Sequence, residues 1–141
     1  MSPSATRGPG TAAAIVPRAL LGSSVAVLVL GALLNTQGQT AGGPVVVSWV
    51  AVAWALAAPL VAVAVRGQGL VAPPPPSRLS PEDAAAQARR SIVFFAVLES
   101  GAMLAGVAAM VSPPGWPLAA GLVPVALMAL NLPSPGGAII R

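Results

Sequence analysis

Apolar residues run along this chain in four long stretches that have no polar face of their own, parted by short neutral or proline-bearing segments. A helix that is apolar on every side belongs in a bilayer or in the core of a large protein. The stretches are Ala19 to Leu34 (ALLGSSVAVLVLGALL), Val45 to Val65 (VVVSWVAVAWALAAPLVAVAV), Ser91 to Val111 (SIVFFAVLESGAMLAGVAAMV) and Trp116 to Leu132 (WPLAAGLVPVALMALNL). Each is near the roughly 20 residues that cross a hydrocarbon core about 30 Å thick. The first and last are short, and Pro124 should kink or tilt the last. The pattern predicts an all-α integral membrane fold of four transmembrane helices, arranged as two helical hairpins.

The segments between the spans set the domain organisation. Residues 1–18 form an N-terminal tail, 19–65 the first hairpin, 66–80 a linker, 81–132 the second hairpin and 133–141 a C-terminal tail. In the linker, Pro73 to Pro76 favour an extended polyproline II spacer without internal hydrogen bonds. The sequence SPED then signals a helix start: Ser80 suits the N-cap, Pro81 the first helical position and Asp83 the reciprocal place of a capping box. The helix predicted from Pro81 runs through AAAQARR into the third span and ends near Val111, about 45 Å long at 1.5 Å per residue.

Composition and charge sharpen the class. Of 141 residues, 56% are hydrophobic and 7% charged, against about a quarter charged in soluble domains. Seven basic residues, all arginine, face Glu82, Asp83 and Glu99. They sit at span ends: Arg7 and Arg18 before the first, Arg66, Arg78, Arg89 and Arg90 between the second and third, Arg141 after the fourth. The loops NTQGQTAGGP and SPPGWP carry no charge. The positive-inside rule then predicts an inner-membrane, multi-pass protein with both termini and the linker cytoplasmic. A secretory signal peptide is the rival reading of the first span, although no clear small-x-small cleavage site directly follows it. Arg18, Arg66, Arg89 and Arg90 are expected to snorkel as interfacial anchors, and Trp49 and Trp116 to join an aromatic belt. Scattered arginines without a basic patch do not suit nucleic acid.

The chain has no cysteine and no histidine, so thiol chemistry, imidazole catalysis and common zinc sites are excluded. No set of residues brings a nucleophile, a base and an oxyanion site together, and neither an enzyme nor a cofactor is expected. The residue that stands out is Glu99, nine positions beyond Arg90, about 13 Å along the helix and near the bilayer midplane. A carboxylate there costs about 2.5 to 3.5 kcal/mol on insertion scales. It therefore has a partner, a proton or a job. Counting depth from the arginines makes Ser23, Ser24 and Trp54 candidate hydrogen-bond donors. Ala102 and Gly106 share the face of Glu99, and Gly101, Ala105 and Ala109 repeat every four residues elsewhere on the helix, which suits close helix packing.

The stretch RRSIVFFAVLESGAMLAGVAAMV, with its short loop, final span and the ending LNLPSP, resembles small uncharacterised bacterial four-helix integral membrane proteins. These are distantly similar to the proteolipid c subunits of rotary ATPases. The resemblance covers roughly the C-terminal half and implies that Glu99 corresponds to an ion-binding carboxylate. Two functions are therefore expected to compete. One is a structural or accessory protein that packs in the lipid bilayer with a second copy or a membrane complex, with Glu99 as buried polar contact. The other is a proton- or cation-coupled transporter or channel subunit with Glu99 as the ion site.

Overall fold

The computed structural model describes residues 9–67, 80–112 and 115–133, with side chains from residue 15 onward. Among them the chain is all-helical: α1 Pro9–Thr36, α2 Val45–Arg66, α3 Pro81–Val111 and α4 Trp116–Leu130. Three of these helices are long and apolar enough to cross a membrane, and α4 is a shorter apolar helix. The 15 residues of α4 extend roughly 22 Å at 1.5 Å each, less than a full hydrocarbon core. The polyproline run, both chain ends and Arg7, Arg78 and Arg141 lie outside the described residues.

Helix boundaries follow local chemistry. α3 starts where SPED predicts: Ser80 Oγ accepts from the Asp83 backbone N–H at 3.1 Å and donates to Asp83 Oδ2 at 2.7 Å. α2 stops at Gly67, whose φ of +65° is the left-handed conformation that glycine adopts without a Cβ clash. α1 departs from expectation. It begins at Pro9, ten residues before the predicted span, and passes through Pro17. Alanine-rich TAAAIV is a good helix former, and the helix runs from it past Pro17 and Arg18, where hydropathy alone places a boundary.

Helix contacts alter the expected hairpin arrangement. α3 packs on all three other helices and α4 touches all three, whereas α1 and α2 do not meet. The first two helices are thus not a packed hairpin; each lies on its own side of the α3–α4 pair. α1 runs parallel to α3, since Ser23 meets Glu99 and Asn35 meets Ala109 and Ser112. α2 runs antiparallel to α3, with Arg66 at Phe94 and Pro44 at Ser112. The start of α1, the end of α2, the start of α3 and the end of α4 share one end of the bundle, so Arg18, Arg66, Arg89 and Arg90 cluster there.

Small residues bring the helices together. Ala51, Ala55, Ala58 and Ala62 of α2 are fully buried, as are Ala102, Ala105, Ala108 and Ala109 of α3. A Cβ built on Gly31 would lie 2.7 Å from Gly106 O, and one on Gly121 would lie 2.8 Å from Ala105 Cβ. Larger apolar side chains such as Val29, Val46, Leu60 and Leu122 point outward. This is the inverse of a soluble core and suits packing by van der Waals contact in lipid.

Candidate functional site

Glu99 faces α1, with its side chain half-buried. Its Oε1 lies 2.5 Å from Ser23 Oγ, and Ser23 Oγ lies 2.9 Å from Leu20 O. The hydroxyl carries one proton and has two acceptors in range. When Glu99 is ionised, Ser23 donates to it. When Glu99 carries a proton, it can donate to Ser23 Oγ, which then donates to Leu20 O. Each protonation state thus keeps a hydrogen bond between α1 and α3, and only the hydroxyl rotor changes.

The other expected donors go elsewhere. Ser24 is fully buried and donates to Leu20 O of its own helix at 2.9 Å. Trp54 Nε1 donates to Ser100 Oγ at 3.0 Å instead of reaching Glu99. Consecutive residues on a helix point about 100° apart, at 3.6 residues per turn. Glu99 therefore meets α1, while Ser100 meets α2 on the other flank of α3. Two polar pairs lie side by side near mid-span, one for each outer helix.

All five packing residues of α3 are buried, and both strips are occupied within the bundle. A Cβ at Gly101 would touch Ala58 Cβ at 3.0 Å and Ala55 Cα at 3.3 Å; one at Gly106 would meet Val27 O at 3.0 Å. Ala105 faces Gly121 of α4. Ala102 and Ala109 are fully buried.

The anchors divide. Arg89 and Arg90 are exposed on α3, and Arg18 is exposed and donates from Nη2 to Pro133 O at 3.1 Å. Arg66, expected at the interface, is turned inward and only 6% exposed. Its Nη1 donates to Asn131 Oδ1 at 2.8 Å, and its guanidinium carbon lies 4.4 Å from the Phe94 ring centre. A guanidinium at this distance over a ring face makes a cation–π contact. Trp49 and Trp116 sit at the opposite end and pack against each other, with ring centres 4.7 Å apart.

Asn35, in sequence only the polar residue that ends the first apolar run, helps close the far end of α3. The last four carbonyls of a helix have no partner within it. Here Ala108 O accepts from Ser112 N–H at 2.8 Å, Ala109 O from Asn35 Nδ2 at 3.2 Å, Met110 O from Ala41 N–H at 3.3 Å and Val111 O from Gly43 N–H at 2.7 Å. Asparagine after a long apolar run was the available signal. Among the described residues no group of three His, Cys, Asp or Glu side chains could hold a metal.

Comparison with protein-family models, curated proteins and solved structures gives no match. The functional reading rests on these contacts.

Proposed function

We propose that this chain is a non-enzymatic, multi-pass inner-membrane protein of structural or accessory type, with both termini cytoplasmic, in which Glu99 fastens α1 to α3. The observation that carries this reading is the Ser23–Glu99 contact. Among the described residues α1 has no contact with α2 and packs on α3 and α4, so a mid-span polar bond contributes to keeping it in place. In bilayers such bonds average about 0.6 kcal/mol and reach about 1.7. The chain then works by presenting a fixed bundle surface to a second copy or a membrane complex.

A second reading, proton or cation coupling at Glu99, draws on the two acceptors within reach of Ser23, which let the site hold or release a proton without losing its bond. Glu99→Gln separates the readings. An amide still bonds to Ser23, so a packing role survives the exchange and Glu99→Leu weakens the bundle. In liposomes, a pH-dependent ion flux abolished by Glu99→Gln would overturn the packing role.

A further inference from the structure

One face of α3, between the sides that meet α1 and α2, carries Arg89, Ala96, Ser100 and Val107 at successive spacings of seven, four and seven residues. At 3.6 residues per turn these four stand within about 20° of one line along the helix, and all four are exposed. Val93, 44% exposed, lies beside that line. Ser100 Oγ donates to Val97 O at 2.7 Å and accepts from Trp54 Nε1 at 3.0 Å, so the bundle itself satisfies the hydroxyl. The strip therefore asks for no polar partner from Val93 to Val107, and it ends in a cation.

The depth of that cation follows from the helix register. Arg66 lies over Phe94. Arg18 is five residues before Ser23 and Phe94 five before Glu99, so the Ser23–Glu99 contact between parallel helices sets Arg18 level with Phe94. Arg89 stands five residues further out, about 7.5 Å at 1.5 Å per residue, and lipid headgroups occupy about 5 to 7.5 Å on each side of the hydrocarbon. Among the described residues Arg89 and Arg90 make no hydrogen bond or ion pair. The carboxylates at this end, Glu82 and Asp83, lie about 9 to 12 Å away along α3, and Ser80 engages Asp83.

We propose that an anionic phospholipid occupies this face, its phosphate held by Arg89 with Arg90 beside it and one acyl chain laid along Val93, Ala96 and Ser100. The inference goes beyond the packing role of Glu99 and rests only on the membrane placement proposed above. Charge complementarity commits the occupant: a guanidinium fork matches phosphate geometry, and arginines beside a span draw anionic lipid by about fivefold each. Hydrocarbon suits the strip below, where the one hydroxyl is already bonded.

Trp54, 37% exposed and bonded to Ser100, reports on that acyl chain from eleven residues inward of Arg89, about 16.5 Å. The chain carrying Trp49→Phe and Trp116→Phe is placed in phosphatidylcholine liposomes containing chain-brominated phosphatidylglycerol or chain-brominated phosphatidylcholine, and quenching of Trp54 gives the relative affinity of the two lipids for this face. Phosphatidylglycerol should be preferred about 25-fold for two arginines, and Arg89→Gln should lower the preference about fivefold. Glu82→Gln changes the charge of the same end by one unit at a distance and should alter it less than twofold. If the doubly substituted chain loses its helical circular dichroism, the same quenching is read as the difference between the unaltered chain and Trp54→Phe. Equal quenching by the two lipids, no response to Arg89→Gln, or a response to Glu82→Gln as large as that to Arg89→Gln would each overturn the site. Quenching by neither lipid in a chain that floats with the liposomes would show the face covered by protein and overturn it as well. A chain that does not float refutes the membrane placement instead, so the two failures are distinct.

Discussion

Replacing Gly31 by alanine adds one methyl group where α1 crosses α3, and the structure specifies what that methyl meets. The new Cβ would stand 2.7 Å from Gly106 O, about 0.7 Å short of the 3.4 Å at which ordinary contact begins. A helix carbonyl oxygen cannot swing aside as the tip of a side chain can. α1 must retreat, and a gap of that width forfeits about a quarter to a half of each neighbouring dispersion contact. The retreat also loosens Val27 against Gly106 and Leu28 against Gly121. Ser23–Glu99 would stretch from 2.5 Å to about 3.2 Å, just past the roughly 3.0 Å that bounds a good O–H···O hydrogen bond. The polar bond weakens but survives, so overpacking supplies most of the cost, about 1 to 3 kcal/mol.

Gly22 on the same helix is the control, because a Cβ there meets nothing within 4 Å. Alanine at that position should be neutral or stabilise α1 by up to about 1 kcal/mol through helix propensity. The two substitutions are chemically identical and should differ in sign. Reversible unfolding in mixed micelles of increasing SDS fraction, followed by far-ultraviolet circular dichroism, measures both. Tryptophan emission serves less well, because the tryptophans lie on α2 and α4 at Trp49, Trp54 and Trp116. Gly31→Ala combined with Gly106→Ala should cost less than the sum, since one retreat of α1 accommodates both methyls. If Gly31→Ala and Gly22→Ala agree within about 0.5 kcal/mol, the spread usual for exposed substitutions, the close crossing of α1 and α3 is refuted.

Two further outcomes are expected. Asn35→Leu leaves Ala109 O and Ser112 O without their side-chain donor, which should cost about 1 to 3 kcal/mol and speed amide hydrogen exchange in the last turn of α3. Arg66→Lys keeps the charge but loses the guanidinium that at once bonds Asn131 and lies over Phe94, so stability should fall by about 1 kcal/mol; equal stability of the two proteins in the SDS titration would show that the guanidinium contributes nothing beyond its charge.

How much of this was legible depends on whether the determinant is local. The span of α3 from Pro81 to Val111 could be read in full, because Ser80, Pro81 and Asp83 act within one turn and the apolar run ends at Ser112 and Pro113. The start of α1 could not. Hydropathy changes at Arg18 and Pro17 beside it is a poor helix former, yet the backbone stays helical through TAAAIV and past both. Glu99 could be picked out by its cost, and depth counting narrowed its partners to Ser23, Ser24 and Trp54. Depth says nothing about direction around the helix axis. Ser23 lies at the carboxylate while Trp54 is one position away at Ser100, and that difference is set by which side of α3 each helix occupies.

Side is the quantity that an apolar-all-round helix withholds, since it carries no amphipathic stripe to name its neighbour. Arg66 illustrates the same limit from the polar end. In sequence it is equivalent to Arg18, Arg89 and Arg90, an arginine closing or opening an apolar run. It turns inward because the antiparallel pairing of α2 with α3 brings Phe94 beneath it, and the parallel pairing with α4 brings Asn131 beside it. The residues that make α3 central are likewise small in sequence and decisive in space. Gly101 admits α2, Ala105 admits α4 and Gly106 admits α1, three approaches on three bearings within one and a half turns. Close packing by these residues leaves the face of α3 with Ala96, Ser100 and Val107 uncovered, and Glu99 stands at the α1 edge of that face, where its bond to Ser23 ties the two helices together.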